Sequence, residues 1–154
     1  MESDRYDELI RLIESNRKVR FTGIQGRGVS DEWIQKAERE LGLQLPPSYK
    51  WWLKKYGGGS IERAEIYSIY EMGFEDAVPG DIVYVAITNR ENGLFDKEKL
   101  FICESGTDEA WYFDTSQKDD AGEYPVYLYD YTDSSSFLYA ENFVEFLITK
   151  IQEL

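Results

Sequence analysis

Between Val29 and Gly59 the apolar positions fall twice into a helical rhythm. Trp33, Ala37 and Leu41 recur four apart with Glu38, Arg39 and Glu40 between them, which predicts one helix. Ser30 stands where an N-cap belongs, and Asp31 and Glu32 put negative charge on the first turn, where free N–H groups favour it. Val29 and Ile34 occupy the two positions of a hydrophobic staple. Gly42 supplies a left-handed residue to end the helix, and Leu43 follows where such an ending wants an apolar contact. Leu45-Pro46-Pro47 reads as a corner, because proline has no N–H to lose at a helix start. Tyr49, Trp52, Leu53 and Tyr56 then make a second stripe beside Lys50, Lys54 and Lys55, and Gly57 to Gly59 stop it. Trp51 and Trp52 are adjacent, so one is expected in the core and the other at a surface or under a loop.

Helices are also expected at both flanks. Ser3 can cap the first, with Tyr6, Leu9, Ile10 and Ile13 as its inward stripe. Asn142 can cap the last, with Glu145 three residues on and Phe143, Phe146, Leu147 and Ile151 facing inward. In between, the period shortens. Strands are predicted over Ile66–Tyr70, Ile82–Thr88, Leu100–Cys103, Ala110–Phe113 and Val126–Tyr131, the second from its β-branched and aromatic content. Phe21 to Gly28, Asn89 to Lys99, Ser105 to Asp108 and Thr115 to Glu123 read as loops. No linker divides the chain, so residues 1–154 are expected to form a single domain. Terminal helices around a run of strands predict an α+β fold, a single mostly antiparallel, bent sheet with helices on one face.

Composition narrows the function. The 154 residues carry a formal charge of −13 and 16% aromatics, among them 12 tyrosines. Such a field disfavours nucleic acid and anionic membrane as partners and favours a basic protein. The chain has no histidine, which removes Ser-His-Asp and Cys-His catalysis and the commonest metal ligand. Cys103, the single cysteine, sits in the apolar run Leu100 to Cys103 and reads as a buried thiol. Asp130, Asp133 and the Asp114 region lack calcium-loop spacing. Neither an enzyme nor a cofactor or metal site is expected. The N-terminal MESDRYDELI lacks the apolar core of a signal peptide, and no run approaches the roughly 18 residues of a membrane span. A cytoplasmic location is therefore expected.

Several of these features in order resemble the SUKH superfamily, which contains bacterial immunity proteins of polymorphic toxin systems and a fungal cell-wall-synthesis regulator. Its helix corner, Gly-rich exit, strand hairpin, "PV" strand and terminal aromatic helix are matched here by Leu41-Gly42, Leu45-Pro46, Tyr49, Leu53, Gly57 and Gly58 through Gly59, Gly106, Asp114, Pro125-Val126, and Phe143 with Phe146-Leu147. The match covers about residues 29–151, with 76–99 longer than the pattern. The resemblance implies helices packed on one sheet and an activity of binding: a cognate toxin is blocked without catalysis. The alternative it implies is a regulatory adaptor of the fungal type.

On this chain the toxin-facing surface is expected among tyrosines and carboxylates of the strand region. Tyr127, Tyr129 and Tyr131 share one face of the last predicted strand, opposite Val126, Leu128 and Asp130. Tyr112 and Asp114 stand opposite Trp111 and Phe113. Glu104, Asp108, Glu109, Asp119 and Asp120 are expected to rim the patch, and Asp114 and Asp130 are counted among its partner-binding carboxylates. Tyrosine joins an apolar body to a polar end, which suits an interface anchor, although the same residues on a covered face would be core.

Overall fold

The computed structural model describes residues 2–21, 28–76, 78–106 and 108–154, the side chains of residues 2 and 3 excepted. In chain order the elements are α1 (Glu2–Ser15), β1 (Val19–Phe21), α2 (Asp31–Leu41), α3 (Pro47–Tyr56), β2 (Gly59–Ile61), β3 (Ala64–Ile66), a 3₁₀ turn (Phe74–Asp76), α4 (Ile82–Glu91), β4 (Lys99–Ser105), β5 (Glu109–Asp114), β6 (Val126–Asp130), β7 (Ser135–Ala140) and α5 (Phe143–Gln152). The seven strands form one antiparallel sheet in sequence order, β1 to β7. The fold class is the α+β arrangement that the sequence predicts. The side chain of Ser3, most of the glycine loop from Phe21 and Thr107 of the hairpin loop lie outside the described residues.

The α2–α3 corner forms for local reasons. The Ser30 hydroxyl accepts from the Trp33 N–H at 3.3 Å. Gly42 and Gly57 end the two helices at φ of 73° and 81°, where a Cβ would be strained, and their N–H groups bond back to Glu38 and Leu53. Trp52 is wholly buried, while Trp51 is half-buried against Tyr6 and Tyr56. Pro46 offers α3 no side-chain cap, and a distant residue supplies one. The buried Glu123 carboxylate accepts from the Ser48 N–H at 2.9 Å and from its hydroxyl at 2.5 Å. At α5 the Asn142 side chain caps Glu145 as expected, and the Glu145 carboxylate then grips Arg5 of α1 at 2.5 and 2.7 Å.

Ile82–Thr88 is a helix, not a strand. Asp81 is fully buried; one side-chain oxygen accepts from the N–H groups of Val83 and Tyr84 at 2.9 and 3.1 Å, and the other from that of Tyr70 at 3.0 Å. Ile82, Val83 and Ala86 turn inward at helical spacing. The preference of valine and isoleucine for strands is a few tenths of a kcal/mol per residue, which an N-cap and a buried face outweigh. The expected strand at 66–70 is shorter and earlier, ending at Ile66, and the last predicted strand ends at Asp130. Three strands went unpredicted: β1 and β2 are only three residues long, and β7 is exposed over most of its length.

Register assigns the two faces of the sheet. Leu100, Phe113 and Val126 lie in one row, and Cys103, Trp111 and Leu128 in the next. This inner face meets α3 and α5: Tyr49 packs on Phe113, and Trp111 on Phe146. Phe143 of α5 touches Tyr49, Trp52, Phe113 and Phe146 with ring centres 5.2–6.3 Å apart. Cys103 is fully buried there, and burial pushes its thiol well above the ordinary value.

Candidate functional site

The outer face carries the candidate site. Phe101, Tyr112, Tyr127 and Leu138 form one cross-strand row, and Glu104, Ala110, Tyr129 and Ser136 the next. A bulge at Ile102 keeps Phe101 and Glu104 on the same side. The rings make a continuous ridge. Tyr112 stacks on Tyr127 at 5.6 Å, Phe101 touches Tyr112 at 5.2 Å, Phe95 bridges Phe101 and Tyr129 at 4.5 and 5.2 Å, and Tyr131 meets Tyr129 at 5.0 Å. Each such pair contributes about 0.5–1.5 kcal/mol beyond its burial. Phe101 and Tyr112 form the buried base, Tyr127 and Tyr129 are half-buried, and the ridge emerges at Tyr131 and Leu138, 46% and 56% exposed. Lys99 lies over the Tyr112 ring at 5.7 Å.

The structure sorts the expected carboxylates. Glu104 is on the ridge face. Asp114 stands at its margin: it accepts from Ser116 and Gln117, and the Gln117 amide also donates to the Tyr127 hydroxyl at 3.2 Å. Burial alone would raise the Asp114 carboxyl, but these hydrogen bonds outweigh it and leave the group below the usual range. Asp108 is exposed at the β4–β5 turn, and its carbonyl accepts from the Tyr131 N–H. Asp130 has the parity of Leu128 and pairs across strands with Glu109, so it is directed away from the tyrosines. Asp119 and Asp120 lie in the loop that carries Glu123 to the start of α3. There Asp119 accepts from the N–H groups of Ala121 and Glu123 at 2.9 Å and organises that turn.

A further carboxylate joins the site. Glu65 of β3 lies directly opposite Glu104. Burial first, and the Glu104 charge second, push the Glu65 carboxyl above its ordinary value. A carboxyl raised in this way favours folding while protonated. That contribution is present below the unfolded value and is lost as pH rises through the folded one. Glu65→Gln is therefore expected to stabilise the protein at neutral pH by about 0.2–1 kcal/mol, toward the lower figure because the site is partly solvated. The gain should fade toward about pH 4. Denaturant midpoints measured at both pH values check this, and a gap that does not change with pH would sink it.

Elsewhere, a cavity of about 110 Å³ lies among Arg5, Ser48, Glu123, Asn142 and Glu145. That is well below the roughly 300 Å³ at which small-molecule sites begin. Among the described residues no group of three or more Asp, Glu or Cys side chains is placed to hold a metal ion. Among the described residues no helix is long and apolar enough to cross a membrane.

The fold is thus a small α+β module whose candidate site is a sheet face. The chain belongs to the SUKH family described as SMI1-KNR4 cell-wall (SUKH_6), which matches over residues 31–147. This family is generally non-catalytic and points to protein–protein interaction in general. The fold is also similar to the crystal structure of an uncharacterized protein from Salmonella enterica subsp. enterica serovar typhimurium str. 14028s. The TM-score is 0.54 at 16% identity, over 94% of this chain and 76% of that one.

Proposed function

We propose that the protein is an immunity protein: it binds a cognate bacterial toxin domain and neutralises it by stoichiometric occlusion of a basic, nuclease-like surface. The supporting observation is the outer sheet face, where an aromatic ridge emerges at Tyr131 and Leu138 beside Glu65 and Glu104, on a chain of net charge −13. A nucleic-acid-cleaving toxin holds phosphate in a positive groove, so an acidic partner is steered into it and competes with substrate. Tyrosines that are half-buried at rest give up little side-chain entropy when they become contacts. Binding of this kind needs neither catalysis nor cofactor, and the site of action is the cytoplasm of the producing cell or its kin.

The test begins with capture from the native cell. A basic toxin domain that arrests growth when expressed alone, and is silenced at a 1:1 ratio by this chain, is the expected result. Tyr129→Ala with Tyr131→Ala should weaken the complex roughly a hundredfold, two anchor residues' worth. Capture of signalling or cell-wall proteins without any toxic partner would overturn the reading. That outcome would favour a regulatory adaptor, the alternative that the family's cell-wall description supports.

A further inference from the structure

We infer that Glu65 and Glu104, with Tyr67, Tyr70 and Tyr131 around them, form a seat for one arginine side chain of the protein partner. The inference rests on the immunity reading and names what the toxin inserts. The two glutamates are cross-strand neighbours on one face, with Cβ atoms about 5 Å apart by the geometry of such pairs. Like charges so placed repel and destabilise the free sheet. Most other partly buried acids of the chain are compensated. Glu145 and Glu8 hold Arg5, Glu38 holds Lys50, Glu123 caps α3 and Asp81 caps α4. Among the described residues, neither the Glu65 nor the Glu104 carboxylate makes a hydrogen bond or an ion pair.

The surroundings favour a guanidinium. Burial, then the Glu104 charge, raises the Tyr67 hydroxyl, and the same order of causes holds for Tyr131; burial, then Glu65, raises Tyr70. Three phenols therefore stand close enough to feel the pair. The Glu65 carboxylate and the Tyr70 hydroxyl both lie against the face of Gly80 that a Cβ would occupy. Tyr131 joins the seat to the ridge through Tyr129. A planar guanidinium has five donors to divide between two carboxylates and a flat face to lay on tyrosine, which an ammonium lacks. A calcium or magnesium ion would want more oxygen ligands, and no third carboxylate completes the set among the described residues.

The test titrates isotope-labelled protein with tri-arginine, tri-lysine and calcium chloride, reading amide shifts. Tri-arginine is expected to move the signals of residues 65, 104 and 131 together and to bind more tightly than tri-lysine. The double variant Glu65→Gln, Glu104→Gln should weaken it at least roughly tenfold, a change worth about 1.4 kcal/mol. The charge-matched pair Glu40→Gln, Glu91→Gln, on exposed helix positions, should cost less than about twofold. Misfolding does not confound the comparison, because removing the repulsion is expected to stabilise the fold. Equal losses in both variants would mean a diffuse field and overturn the seat, as would calcium binding more tightly at the same signals. Arginine landing there on a protein that captures no toxin would keep the seat and remove the immunity reading. Toxin capture undiminished by the double variant would remove the seat alone.

Discussion

Phe143→Ala should unfold this protein more readily than any change on its surface, at a cost of roughly 3–5 kcal/mol. Phe143 is fully buried and lies in ring contact with Tyr49 and Trp52 of α3, Phe113 of β5 and Phe146 of its own helix. The cavity left by truncation would be walled by rigid rings fixed on separate elements, so collapse around it is limited. Phe143→Leu keeps most of the volume and should lose less than half as much. Urea unfolding followed by tryptophan fluorescence reads both, since Trp52 sits in the cluster. A loss below about 1 kcal/mol for the alanine variant would contradict a core closed by this ring.

Asp81→Ala is the second large effect, at about 3 kcal/mol. Its two side-chain oxygens satisfy three backbone N–H groups: those of Val83 and Tyr84 at the start of α4 and that of Tyr70 across the chain. Losing an N-cap costs about 0.5–2 kcal/mol, and orphaning a buried donor about 1–3 more. Asp81→Asn should retain the cap through one oxygen while setting its amide against the Tyr70 N–H, and lose roughly half as much. Hydrogen exchange is the sharper measurement. Amides in residues 82–91 should lose protection in the alanine variant before the rest of the protein does. If they exchange no faster, Asp81 is not what holds this segment helical.

That segment also marks the limit of what the sequence makes legible. The α2–α3 corner could be read because its determinants are local: Ser30, Gly42, the diproline and Gly57 each act within a few residues. At Ile82–Thr88 the β-branched composition spoke for a strand, and the Asp81 immediately before it, an N-cap by type, spoke more quietly but decided the outcome. The Glu123 cap on Ser48 spans the chain from one loop to another helix, and no local pattern announces it. Of the site, the alternation that groups Tyr127, Tyr129 and Tyr131 was visible, because strand parity is a property of one strand. Glu65 was not, because its meaning comes from Glu104 across the β3–β4 ladder, and register is set by pairing. Asp119 looked like a free carboxylate for a similar reason. Its partners are backbone N–H groups, which every residue has and no composition reveals.

The strict sequence order of the sheet bears on how the protein comes into being. Because each strand pairs with its predecessor, β4 to β7 can add one hairpin at a time during synthesis, with short loops to close at each step. Helix α3 is made before them and covers part of the inner face they build, through Tyr49 on Phe113, but the rest waits for α5, whose Phe143 and Phe146 pack on Phe113 and Trp111. A nascent chain thus carries a growing sheet with the α5 share of its greasy side bare while β4 to β7 are added, and that interval is when chaperone capture should concentrate.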